Sequence, residues 1–527
     1  MAKQTIQLSD HFNYSRLLRF VLPCIGTMLF TSIYGIVDGL CVSNFVGKTA
    51  FAAVNLIMPL PMLIGTVGFM LGTGGSAIVG ITLGEGNEDK ANRYFSLFVL
   101  AAFLAGVALS VLGLFILRPV AILMGAKGEM LDFAVRYGRV LMVSVPTFIL
   151  QNMFQSFFVT AEKPTLGFWF TVGAGCTNMV LDVVLVGWLR WGVEGAAIAT
   201  FISQIVGGVL PVFYFLDHKT TSRLHLGKTE FHGSVLKAAC INGSSELMTN
   251  LSMSLVNILY NYQLLRFAGE NGVAAYGVIM YAAFLFVAVF VGYAVGSAPI
   301  VSYHYGARNH AEVHNLYTKS LRLIGVVAVI MTAVSMLIIP YVAKIFVGYD
   351  AELLELTSHA FRVYGLSFLI MGFNVYGSSF FTALGDGVTS ALISFLRTML
   401  FQLAAVILLP MVLRIEGVWL AVTAAELAAL VVTVYMFITK DVVLAHSQPK
   451  DNVNDLGVSI GVFKEPVQFS NFHKAKIIIV MSAKDQEKHL RVLKDIMGVF
   501  SVEKNVEKLE MAENPDEILD SLKLLIK

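Results

Sequence analysis

The feature that most constrains this chain is a succession of apolar runs, each of roughly 20 residues or more, broken by short stretches that hold charge, Gly or Pro. They fall near 17–44, 51–81, 95–117, 137–159, 166–188, 193–216, 235–267, 273–303, 320–345, 358–384, 389–412 and 416–439. Each is long enough to cross about 30 Å of hydrocarbon as a helix, the one open-ended form that satisfies its own backbone there. Twelve runs therefore predict an all-α polytopic membrane protein. With 57% hydrophobic and 14% charged residues, against about 25% charged in an ordinary soluble domain, a soluble enzyme is excluded. The charge is also uneven, because Lys, Arg, Asp and Glu concentrate after residue 440, so a small soluble tail is expected there. A net charge of +2 supplies no basic field for nucleic acid. Cys24, Cys41, Cys176 and Cys240 lie in or beside apolar runs without a CxxC pair, and are expected to be small buried hydrophobes. The opening MAKQTIQLSDHFNYSRLLRF lacks a signal-peptide pattern. A modest excess of Lys and Arg in alternate loops puts both termini, and the connector at 217–228, on the cytoplasmic side of a cell (inner) membrane.

An internal repeat organises the runs. FVGKTAFAAV from Phe45 matches FAGENGVAAY from Phe267, a shift of 222 residues that lays Gly47 on Gly269. The same shift lays Gly84 on Gly306 and Glu194-Gly195 on Glu416-Gly417. Two six-helix lobes in the same orientation are implied, with 1–216 as the first, 217–234 as a cytoplasmic linker, 235–440 as the second and 441–527 as the tail. Parallel halves around a central cavity are a recurring plan for transport by alternating access.

The repeat is also a test of polar residues, since those needed only for architecture should recur in both halves. Asp38 maps onto Tyr260, Asn178 onto Leu400, Asp182 onto Ala404 and Thr200 onto Val422. An ionisable cluster private to the first half is the expectation, with no buried acid in the later spans. A charged group inside a span costs about 2.5–3.5 kcal/mol or more and marks function by default. Thr27, Thr31, Tyr34 and Asp38 share one helical face, as do Asn178 and Asp182 in the fifth span, and Thr200, Ser203 and Gln204 in the sixth. Two carboxyls with an amide and a hydroxyl suit a hard cation or a shared proton. Pro23 removes one backbone hydrogen bond from the first span and makes it a hinge. Glu246, Asn250, Asn257 and Asn261 form a second stripe, in the seventh span; they line a cavity for cationic substrates or serve as caps and helix ties.

YGIVDGLCVSNFVG (34–47), GSAIVGITLGEG after the second span, CTNMVLDVVLV (176–186), GVEGAAIAT (192–200) and GSAPIVSYHYGA (296–307) resemble multidrug and toxic compound extrusion (MATE) transporters over about residues 10–440. The resemblance implies export of small organic, often cationic, compounds in exchange for H+ or Na+, with no other cofactor, by a monomer in the lipid bilayer. It also implies that the coupling ion binds at Asp38, Asn178, Asp182 and Thr200, and that Tyr34, Gln204 and the seventh-span stripe serve the cavity.

In the tail, VSIGVF (458–463) and AKIIIVMSA (475–483) read as strands; 485–500 and a segment starting at Asn514-Pro515 read as helices. LAHSQPKDNVNDLGVSIGVFKEPVQF and SAKDQEKHL resemble the later part of a fructose/mannitol-type phosphotransferase-system IIA domain. By that resemblance His446 stands where the phospho-acceptor does, although Ala445 replaces the proline before it. A small α/β cytoplasmic domain, with a regulatory partner, is expected. Two alternatives stay open: a phosphotransferase-type sugar permease, motivated by the tail, and a lipid-linked flippase, which would be expected to line its cavity with basic groups.

Overall fold

The computed structural model describes residues 6–440, 445–446, 457–468 and 474–482. The chain divides into two compact units, Met1–Val434 and Tyr435–Lys527.

In the first unit the helices start where the sequence supplies caps. Asn13 accepts from the Arg16 N–H to open α1 (Tyr14–Phe45), and Asn87 from Lys90 to open α4 (Glu88–Leu123). Short α2 (Lys48–Ile57) leads into α3 (Pro59–Gly84), which carries Pro in its first turn, as does α6 (Pro164–Leu181). Between α4 and α6 lies α5 (Gly128–Thr160); α7 (Gly192–Gly208) and α8 (Leu210–Leu216) end the first half. The second half comprises α9 (Gly233–Asn242), α10 (Ser244–Gly306), α11 (His310–Val347), α12 (Ala351–Gly365), α13 (Phe368–Ala383), α14 (Gly387–Phe395), α15 (Gln402–Leu413) and α16 (Ile415–Lys440). Two segments wind as π-helix, Asp182–Trp188 after α6 and Leu396–Phe401 between α14 and α15. Each falls in the fifth apolar run of its half.

Ten of these helical stretches are long and apolar enough to cross a membrane, or eleven with α12 and α13, which meet at a 47° bend, taken as one. The count stands below the expected twelve only because α10, 63 residues, holds the expected seventh and eighth spans as two helices joined at a kink. Its helix is broken at Gly269, where φ is 59° and ψ −148°. Gly47, the repeat mate of Gly269, also has positive φ (113°), and the pairs Gly86 and Arg308, and Gly192 and Arg414, share left-handed φ at the same shift of 222. The connections of the two halves thus use the same backbone conformations.

The halves touch through glycine. A Cβ on Gly84 would sit 2.0 Å from the carbonyl oxygen of Tyr303, and one on Gly306 would sit 2.0 Å from that of Ile81. Both pairs are repeat mates, so each half presents the same surface to the other, as in a two-fold contact. Nearby, a Cβ on Gly292 of α10 would meet the Ile25 Cα at 2.5 Å, two residues beyond Pro23. The N-terminal strap adds polar ties: the Phe12 N–H donates to Glu312 (2.8 Å), His11 pairs with the same carboxylate (2.6 Å), and the Leu8 N–H donates to Glu162 (2.9 Å). Arg223 of the linker bonds Glu88 and Glu162 and lies 5.1 Å over the Tyr303 ring. Of the four cysteines only Cys24 is buried; Cys176 is exposed, and Cys41 and Cys240 are partly so, contrary to expectation. An apolar helix surface facing lipid has no need to cover a thiol.

In the second unit β1 (Ala445–His446) runs parallel to β3 (Lys474–Ser482), and β2 (Gly457–Gln468) antiparallel to it, giving the order β1-β3-β2. Register slips between Val462 and Val467, around Pro466, which has no N–H for the ladder. The expected strands lie in β2 and β3; the expected helices at 485–500 and from Asn514 lie outside the described residues.

Because the backbone carbonyl facing Gly306 has nowhere to go, Gly306→Ala should lower the thermal stability of the purified protein by about 1–3 kcal/mol, the usual cost of overpacking. Gly277→Ala, which would meet nothing within 4 Å, should leave Tm unchanged or raise it. Equal Tm values for the two variants would contradict the close contact.

Candidate functional site

In the first half the polar residues of the fifth and sixth runs meet. Asp182 opens the π-helical segment and is 0% exposed; Asn178, one turn earlier, is 2% exposed. The Asn178 Nδ2 donates to the Thr200 Oγ1 of α7 at 3.4 Å, and Ser203 turns its hydroxyl onto the Thr200 carbonyl (2.8 Å). Gln204, one turn beyond Thr200, is buried, and its Oε1 accepts no hydrogen bond among the described residues. A π-helical turn inserts one residue into the α-helical ladder and re-aims the side chains on its C-terminal side, a device frequent at functional sites.

Across from them stands α1. Tyr34 is half-buried, 6.2 Å from the Phe30 ring, and both press on Gly175 of α6, where a Cβ would lie 2.5 Å from Phe30 and 3.1 Å from Tyr34. Asp38 lies on the same helix; the structure describes its backbone and not its side chain. The face expected from Thr27 and Thr31 is less open than its spacing implied, because their hydroxyls donate to the carbonyls of Pro23 (2.9 Å) and Thr27 (2.8 Å) in their own helix. Pro23 sits within α1 as expected, beside a small cleft lined by Cys24, Thr27 and Gln155 of the first half and Val295 of the second.

The second half departs further from expectation. Glu246 lies in the first turn of α10, and Asn250 donates to its backbone carbonyl (2.8 Å). Asn257 accepts from the Tyr276 hydroxyl (3.0 Å) and, like Asn261, is exposed. The seventh-span stripe is thus tied in part to its own helix and to Tyr276, and a denser polar centre of this half lies elsewhere. Glu426 of α16 is 5% exposed, which corrects the expectation that the later spans hold no buried acid and that buried ionisable groups are private to the first half. The Nε of Arg397, in the second π-helical segment, donates to both Glu426 oxygens (2.8 and 3.0 Å), and the Asn374 Nδ2 donates to Glu426 Oε2 (2.7 Å) and to the Glu426 carbonyl (2.8 Å). Thr433 completes the chain by donating to Asn374 Oδ1 (2.9 Å). The signal was in the sequence: Arg397 is the single charge of the run at 389–412, and Glu426 lies mid-run in its neighbour, ten residues beyond Glu416 at that run's start. Among the described residues no three His, Cys, Asp or Glu side chains cluster as a metal site. In the tail, His446 lies in β1 opposite Met481 of β3.

Comparison with known proteins places this geometry. The MatE family model matches residues 23–184 and again 247–408, and a second model, phosphoenolpyruvate-dependent sugar phosphotransferase system EIIA 2, matches 424–524. Among curated proteins, the multidrug export protein MepA of Staphylococcus saprophyticus is 21% identical over 81% of this chain and 94% of its own length; MepA of Staphylococcus aureus gives the same figures. Among solved structures, a MATE protein in complex with MaL6 aligns with a TM-score of 0.78 at 23% identity, covering 83% of this chain and 98% of that one. The outward-facing conformation of a multidrug resistance MATE family transporter of the MOP superfamily aligns with a TM-score of 0.78 at 22% identity, covering 84% and 98%. Two matches of one family model, each over one half of the repeat, on a fold shared with solved MATE proteins, make this chain a member of the MatE family, whose relatives are membrane exporters and not enzymes.

Proposed function

We propose that this protein is a secondary-active efflux antiporter that exports small organic, often cationic, compounds in exchange for H+ or Na+, by alternating access of two six-helix lobes. The observation that carries the reading is Asp182, a carboxyl with no solvent exposure, one turn from the Asn178 that bonds Thr200, in a π-helical turn of a membrane helix. A carboxyl in such a place is neutral or shares its charge with a cation. Loading and unloading it from opposite sides is the step that an ion gradient drives, with Asp38 of α1 as its partner and Pro23 as the point at which α1 bends. The Arg19 carbonyl has no helical N–H partner at Pro23, so bending there breaks no hydrogen bond. Gln204 and Tyr34 border this ion site on the first-lobe wall, and Glu246, Asn250, Asn257 and Asn261 contribute polarity on the second-lobe side. Taking α10 as two spans divided at Gly269 gives twelve crossings, six in each lobe, with both termini and the tail in the cytoplasm of a cell membrane. The relatives' printed name, multidrug export protein, supports this class of cargo.

The match of the tail to an EIIA 2 model favours a second reading, in which His446 accepts a phosphoryl group and the tail regulates transport through a phosphocarrier partner. A regulatory role without stable phosphorylation is preferred, because Ala445 stands where the resembling family has proline.

Asp182→Asn and Asp38→Asn should each abolish gradient-driven export of a fluorescent organic cation from proteoliposomes while leaving its equilibrium binding in detergent intact. Full gradient-driven export by either variant would refute the ion-site assignment. Incubation of the whole protein with the phosphocarrier enzymes and labelled phosphoenolpyruvate should give no stable label on His446; stoichiometric label lost in His446→Ala would establish the second reading.

A further inference from the structure

The repeat that isolates the ion site in the first lobe also locates its counterpart in the second. A shift of 222 carries Asn152 onto Asn374, Gly175 onto Arg397 and Gln204 onto Glu426. Two members of the second-lobe network, Arg397 and Glu426, therefore stand at positions about one helical turn from those of Asn178 and Thr200 in the first, and Asn374 falls on an asparagine of α5. Both clusters use a π-helical turn, and in each the ionisable group lies within its first two residues: Asp182 in Asp182–Trp188 and Arg397 in Leu396–Phe401.

The difference between the two is one of charge and room. The fifth and sixth runs of the first half, 166–188 and 193–216, contain no Lys or Arg. In the second half the buried acid has a base of its own, held by two hydrogen bonds through Nε. Room for it comes from complementary changes. Where Gly175 is pressed by Phe30 and Tyr34, the repeat mates of those aromatics are the smaller Ser252 and Val256. The Arg397 side chain is 13% exposed, and its two terminal nitrogens make no hydrogen bond among the described residues, so Glu426 is its principal anchor.

We infer that Arg397 is a tethered cation that permanently fills the second-lobe counterpart of the exchangeable-ion site, confining ion exchange to the first lobe. The inference rests on the antiporter reading of the first-lobe cluster and deepens it, because it explains why a protein with two similar lobes couples through one. Removing the guanidinium should open a latent monovalent-cation site at Glu426 and Asn374.

The test reads Tm of the purified full-length protein against Na+ or methylguanidinium at constant ionic strength, with N-methylglucamine as the balancing ion. In an Asp38→Asn/Asp182→Asn background, which removes the first-lobe carboxyls, Arg397 keeps the second site filled and Tm should not respond to either probe. Adding Arg397→Ala should produce a Tm that climbs with methylguanidinium and with Na+. Adding Glu426→Gln as well should abolish that climb, and Arg397→Lys in place of Arg397→Ala should prevent it. No climb in the Arg397→Ala protein, or a climb that survives Glu426→Gln, overturns the inference. Should Arg397→Ala fail to fold, the mirror variant decides: Glu426→Gln alone leaves a buried guanidinium without its carboxylate and should gain a Tm that rises with formate or acetate, and no rise overturns the inference. Failure of the antiporter reading shows separately, as an identical cation response of the wild type and the Asp38→Asn/Asp182→Asn protein.

Discussion

Hydrocarbon cannot solvate an ion, and each ionisable side chain buried in the spans of this protein is placed by that constraint. The same physics sets the helices, because an unsatisfied peptide group in lipid costs several kcal/mol. It also explains why buried charges are so few that their positions carry information. Two solutions to the constraint occur at matching places in the repeat. In the second half, Glu426 is neutralised by Arg397 and saturated by Asn374, a closed network with every carboxylate oxygen engaged. In the first half, Asp182 is buried one turn from Asn178, and α6 and α7 carry no Lys or Arg.

The contact between the halves sets what motion is available. Gly84 and Gly306 bring α3 and α10 together so closely that a single added carbon would collide with backbone. Such a seam is either shut or parted, since packed backbones have few intermediate arrangements. The strap at Leu8–Phe12 and Arg223 of the linker bind groups from both halves across this region. Opening must therefore break charged hydrogen bonds along with the glycine seam. On the far side of Pro23, α1 touches both the seam, through Ile25 and Gly292, and the first-lobe cluster, through Tyr34 and Gly175.

Much of this was legible in the residues. Apolar run length located the spans, and the 222-residue repeat paired Gly47 with Gly269 and Gly84 with Gly306, positions that in the structure share, respectively, positive φ and a close approach to the backbone of the other half. The first-lobe residues Asn178, Asp182 and Thr200 stood out by their lack of polar counterparts, and Asn178 does bond Thr200. What escaped had physical causes. At Gly269 the backbone turns within a continuous stretch of helical hydrogen bonding, so the break that Arg266 and Glu270 mark in the sequence shows as a kink and not as a loop. Comparing first-half polar residues with their second-half mates, and not the reverse, concealed Glu426 behind Gln204 and Arg397 behind Gly175. Helical spacing identified the stripes of Thr27 and Thr31, and of Glu246, Asn250, Asn257 and Asn261. It cannot tell a hydroxyl or amide that faces a cavity from one that bonds its own helix, and Thr27, Thr31 and Asn250 do the latter.

The central claim is that movement of a cation through the first lobe drives export. It is tested most directly with the wild-type protein in proteoliposomes loaded with a fluorescent organic cation, imposing a proton gradient and then a sodium gradient, one at a time, each against a control in which an ionophore collapses it. The account requires that one of the two gradients, directed opposite to the substrate, accelerates substrate movement and that this gradient is consumed as transport proceeds. Substrate movement at the same rate in all four conditions would contradict it.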